Sequence, residues 1–176
     1  MKKLICFVLC LGFLLSFAAC GKKTQTPAAV NEEQLQTVLL SRAQSLFGLA
    51  TKDAYRSLYP DCYWEQYEKK GIPFDELYES VVEVKDGQTP EDRMLDIVGE
   101  NYSISVEITE QTVSYDATQL AQYEKQIKEN FSLEVELEAY AKVTHIIKLD
   151  GDGASYDRAP MELLLYKIDG CWYIGF

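Results

Sequence analysis

The sequence predicts an α+β domain in which helices come first and an antiparallel sheet of about four strands follows. Three observations predict it. Apolar residues recur at helical spacing from Leu35 to Val84, then change to strict alternation at Tyr102, Ile104, Val106 and Ile108, and again from Leu137 to Leu149. Asp169-Gly170, set between apolar residues, is a strong hairpin signal. One more capped helical stretch, Asp116 to Asn130, interrupts the strands after the first of them.

The first helix opens at Asn31, with Gln34 three residues on as in a capping box, and about 19 residues follow on one pattern. Leu35, Val38, Leu39, Ala43, Leu46, Phe47 and Ala50 share its apolar face. A helical turn from Asp53 to Tyr59 stops at Pro60, and Cys62 to Lys70 forms the next helix, closed by Gly71 and Pro73. Phe74 to Val84 is amphipathic. Thr89 is an N-cap with Pro90 at the first helical position, and Gly99 ends that helix after Ile97. In the later helix Leu120, Tyr123 and Ile127 point inward.

The long strand holds Leu137, Ala139, Ala141, Val143, His145, Ile147 and Leu149 on one parity. Asp150-Gly151-Asp152-Gly153 connects it to a return from Ala154 to Ile168. A three-residue loop, Asp150 to Asp152, with Gly153 as a left-handed bulge residue, pairs Leu137 with Leu165, Ala139 with Leu163 and Ala141 with Met161. Loops of two or four residues oppose apolar to polar positions. Asp169-Gly170 then pairs Leu165 with Ile174 and Leu163 with Phe176, so both hairpins present one buried face.

The N-terminus reads as an export signal. Met1-Lys2-Lys3 is cationic, and the apolar run from Leu4 to Ala19 is broken only by Gly12 and Ser16. That run falls short of the ~20 apolar residues a spanning helix needs. Phe17-Ala18-Ala19-Cys20 resembles the lipobox of bacterial lipoproteins, with Phe17 where the lipobox usually carries Leu. The resemblance implies cleavage before Cys20, a diacylglyceryl thioether on Cys20, and anchoring at the extracytoplasmic face of the cell membrane. Residues 1–19 are then the signal peptide, 20–30 a polar, proline-containing tether, and 31–176 the domain. Two acyl chains give stable anchoring at about 0.8 kcal/mol per buried methylene.

The mature chain carries 15 basic against 28 acidic residues, a net charge of −13. Such a surface repels phosphates, so nucleic acid is set aside as a partner.

The order of elements, and the closing Lys167-Ile168-Asp169-Gly170-Cys171-Trp172-Tyr173-Ile174, resemble the NTF2-like (cystatin-like α+β roll) lipoproteins of Gram-positive bacteria. Cys171 stands where that ending usually has Lys. The resemblance implies a long curved sheet wrapping the N-terminal helix into a cone. It leaves function open, since this fold hosts enzymes, binding modules and adaptors.

Candidate sites follow from residue chemistry. Cys62 and Cys171 remain as thiols in the mature protein, a possible disulfide in an oxidising compartment, and with one histidine they do not compose a zinc site. No metal or cofactor is expected. The Asp150 loop lacks the calcium ligands an EF-hand needs, having Ala154, Ser155 and Met161 at the decisive places. Tyr59, Tyr63, Trp64 and Tyr67 either line the mouth of a cone and stack on a ligand, or pack on the sheet. His145, set opposite Asp157 by the chosen register, reads first as a structural or rim histidine, with a general base oriented by Asp157 as the alternative. No phosphate loop or nucleophile elbow is present. The leading expectation is a lipid-anchored, extracytoplasmic, non-catalytic module that binds a small ligand, a peptide or an envelope protein. The alternatives are a small acid–base enzyme of the dehydratase or isomerase type, and an inhibitor or immunity lipoprotein.

Overall fold

The computed structural model describes residues 32–176, so the expected signal segment, the expected lipidation site Cys20, the expected tether and Asn31 lie outside the described residues. Helix α1 spans Glu32–Leu46, shorter than the periodicity suggests. Gly48 stops it, at φ 67°. Its N–H donates to the Ser45 carbonyl (3.1 Å) and the Leu49 N–H to that of Gln44 (2.8 Å), the paired bonds of a Schellman cap. Leu35, Leu39 and Ala43 are fully buried, whereas Leu46 is exposed.

Helix α2 (Lys52–Arg56) is capped by Thr51, whose hydroxyl accepts from the Ala54 N–H. Helices α3 (Asp61–Lys69) and α4 (Phe74–Val81) follow. The latter ends before Val84 because Asp86 and Gly87, both at positive φ, turn the chain between Lys85 and Gln88. Helix α5 (Pro90–Val98) has the expected Thr89 cap, completed into a capping box by Asp92.

Strand β1 (Ser103–Ser114) extends well past Ile108, and its register shifts at Thr109, a bulge. Helix α6 (Ala117–Phe131) opens at Asp116, which accepts from the Gln119 N–H. Strands β2 (Ala139–Asp150), β3 (Ser155–Asp157), β4 (Met161–Ile168) and β5 (Cys171–Ile174) complete the chain. The sheet is antiparallel in the order β1-β2-β4-β5, with β3 on β2, and it is strongly curled into a half-barrel. Helix α1 packs against both edge strands, β1 and β5, which a flat sheet would hold far apart.

The register of the long hairpin differs from the expectation. Four residues, Gly151 to Ala154, connect Asp150 to Ser155. The return strand then breaks at Arg158-Ala159-Pro160, and β4 pairs Ala141 with Leu165, Val143 with Leu163 and His145 with Met161. The break restores the parity that the loop alone would have inverted. Gly153 is not left-handed. Its loop folds onto α5 instead: the Gly153 and Ala154 N–H groups both donate to the Val98 carbonyl (2.9 and 3.2 Å). A side chain at Gly151 would collide with that same carbonyl oxygen. Asp169 and Gly170, both at positive φ, form the expected tight turn, and Leu165 pairs with Ile174; Phe176 lies beyond the paired residues.

Both faces of the sheet are covered. Val106, Val143, Ile147, Leu165, Trp172 and Ile174 are buried on the α1 face. On the other, Tyr166 and Ile168 pack with Leu120 and Ile127 of α6. The unbroken run Leu163-Leu164-Leu165-Tyr166 is the sequence signal for a strand buried on two sides.

Candidate functional site

Along the outer edge of β5 runs a groove of about 510 Å³, within the range of ligand pockets. Glu33, Gln34, Thr37 and Val38 of α1 form one wall, and Arg56, Ser57, Tyr59 and Asp61 the other. Cys171, Trp172 and Tyr173 form its floor. Arg56 is held in place twice, by Asp61 at 3.6 Å and by the Phe74 ring 5.2 Å below its guanidinium. The Tyr59 hydroxyl is pushed above its usual pKa by burial, and so stays neutral.

Of the four aromatic candidates only Tyr59 reaches this groove. Tyr63 stacks on Tyr59 at 4.5 Å and meets Phe131 and Phe176 on its far side. Its hydroxyl donates to that of Tyr67 at 3.3 Å. Trp64 is 2% exposed, with its indole N–H donating to the Arg56 carbonyl at 2.8 Å. Tyr55, Tyr59, Tyr63 and Phe74 surround it at centroid distances of 5.7, 5.3, 5.2 and 5.0 Å. The same ring contacts continue through Phe176 to Tyr166 and Tyr123 of the second core. Trp64 and Tyr63 therefore join helices to sheet. Helical spacing marks such residues as inward-facing but does not say which partner they meet.

The His145–Asp157 dyad does not form. Asp157 pairs with Lys148, which puts it on the face opposite His145. The cause is the four-residue loop and the break after it, which shift the return strand along β2. His145 is 2% exposed, between Ile108 and Met161, and its Nδ1 has no partner. Burial first, with the Arg42 charge, holds its pKa below the usual value. The imidazole is therefore neutral in the folded state. Because the unfolded chain takes up a proton nearer pH 6.5, stability from this group is complete above about that pH and is lost as pH falls through the lower folded pKa. Urea midpoints measured from pH 7.5 to 5 should show a larger acid loss for wild type than for a folded His145→Leu variant. Parallel profiles would contradict a buried neutral imidazole.

Cys62 and Cys171 are separate thiols, the first half-buried and the second exposed. On the β5 face that Cys171 and Tyr173 share, Tyr173 borders the same apolar cluster as Cys62, while Cys171 at the strand's start stays exposed. Burial raises the Cys62 pKa, so that thiol is a poor nucleophile.

Among the described residues no three His, Cys, Asp or Glu side chains gather in a metal-binding arrangement, and no helix is long and apolar enough to cross a membrane. Comparison with protein-family models, with characterised proteins and with solved structures finds no match to the chain.

Proposed function

We propose that this chain is a lipid-anchored, extracytoplasmic binding module on an NTF2-like domain, tethered through Cys20 and receiving its ligand in the groove along β5. The groove carries this reading: apolar and polar side chains line it together, and its one cation, Arg56, pairs with Asp61 rather than facing a proton-transfer partner. The single histidine does not line it. The NTF2-like assignment is supported by the order of helices before sheet and by α1 lying in the curl between the two edge strands. The lipid anchor is supported by Ala18-Ala19-Cys20 and the preceding apolar run.

Two measurements test it. Cys20→Ser should abolish acylation and move the protein out of the membrane fraction, and an unmodified Cys20 in the wild-type mass spectrum would contradict anchoring. Fragment screening by NMR should place binders in the groove, with Ser57→Trp weakening them about tenfold or more by filling it. Binders that cluster elsewhere would overturn the groove assignment. A 100-fold loss of activity in a folded His145→Ala variant, on the scale of general-base removal, would replace the module with an enzyme.

A further inference from the structure

We propose that the groove along β5 takes an extended peptide carrying lysine or arginine, which pairs with the main chain of Trp172 and sets its cation against Glu33 and Asp61. The inference rests on the binding-module reading and adds the class of ligand.

Hydrogen bonds along β5 alternate in direction. In an antiparallel pair, alternate residues direct their N–H and C=O groups toward the neighbouring strand and the rest point away from it. Gly175 donates its N–H to the Leu164 carbonyl on β4 at 2.8 Å, whereas Ile174 donates outward to the Leu58 carbonyl at 2.9 Å. Trp172 stands two residues before Ile174 and so points its N–H and C=O outward as well. Among the described residues neither group has a partner. The chain beside β5 cannot supply one, because Pro60 and then α3 turn it away from the edge two residues after Leu58. One donor and one acceptor are thus left at the floor of the groove, the pair that an added strand engages.

Charge selects among extended chains. Residues 32–176 hold 13 basic against 28 acidic residues, a net charge of −15, and the groove walls bring two carboxylates, Glu33 and Asp61, to one guanidinium. Arg56 is already committed to Asp61 and to the Phe74 ring. That leaves Glu33 without a cation in the groove and Asp61 with a long, exposed ion pair, so an anionic peptide is repelled and a cationic one is drawn in.

The test uses the full acylated chain, ¹⁵N-labelled, in detergent micelles. Its probes are acetyl-Thr-Lys-Val-Lys-Thr-amide, the matching peptide with Glu for Lys, and the lysine peptide N-methylated at Val. The lysine peptide should bind saturably, about tenfold or more tighter than the glutamate peptide at low salt. It should slow hydrogen exchange at the Trp172 amide, and N-methylation in one strand register should abolish binding. Glu33→Gln with Asp61→Asn should erase the preference for lysine while leaving the fold intact. Equal affinity for the two charged peptides, an unchanged Trp172 amide, or no binding of the lysine peptide would each overturn the inference. If fragments fill the groove while the peptides do not, the binding-module reading stands and the peptide reading alone falls.

Discussion

Replacing Trp64 with alanine is expected to destabilise the domain by about 3–5 kcal/mol, the range for truncating a fully buried large aromatic side chain. Three effects add. The indole is 2% exposed, so its removal leaves a cavity that Tyr55, Tyr59, Tyr63 and Phe74 can close only by leaving their ring contacts. Three of those contacts are edge-on, with interplanar angles of 87°, 87° and 82°, the arrangement that aromatic quadrupoles favour. The Arg56 carbonyl also loses its shorter donor and keeps only the Tyr59 N–H at 3.4 Å. Trp64→Phe keeps part of the packing and forfeits the hydrogen bond, so it should lie between wild type and alanine. Urea midpoints of the three proteins give the order, and a Trp64→Ala cost below about 1 kcal/mol would mean that the cluster does not hold helices to sheet.

The second large effect is expected at Gly151. Alanine there sets its methyl group into the Val98 carbonyl, so the loop must lift from the end of α5 and release the two N–H groups that Gly153 and Ala154 give to that oxygen. Overpacking of this kind costs about 1–3 kcal/mol. Gly170 supplies the control, since open space surrounds it and only its positive φ of 78° resists a side chain. Gly170→Asn should be nearly neutral because asparagine tolerates the left-handed region. Thermal midpoints of both variants check the pair, and equal losses would mean that contact with α5 is not what fixes glycine at 151.

These glycines show where sequence reasoning reached and where it stopped. Parity was legible: every residue from Ala139 to Leu149 lies on the side its alternation assigns. So were the Thr89 and Asp116 caps and the Asp169-Gly170 turn. Each depends on neighbours a few residues apart. Register was not legible, because Gly151 and Gly153 serve a contact with α5, some fifty residues away in sequence, and not a left-handed turn. That one difference moved Met161 into the place opposite His145 and carried Asp157 to the other face. The end of α1 was legible and went unread, since Gly48 is an ordinary C-terminal stop.

Of the groove, the sequence marked Tyr59 as a ligand-stacking candidate and Cys171 only as a possible disulfide partner. The remaining walls come from α1, from the turn after α2 and from β5, brought together by curl of the sheet rather than by spacing along the chain. The unpaired edge of Trp172 depends on where Pro60 diverts the chain beside β5. Charge was legible as a total and not as a pattern.

The bond from Ile174 to Leu58 joins residues 116 positions apart and has a consequence for the order of folding. Closing so long a loop carries its entropy cost before any reward from packing arrives. Helices α2, α3 and α4 share a local aromatic cluster around Trp64, but the Tyr63 contacts with Phe131 and Phe176 wait on the closing of that loop. Docking of that cluster on the end of the sheet is therefore expected to be late in folding, and the rest of the domain should form without it.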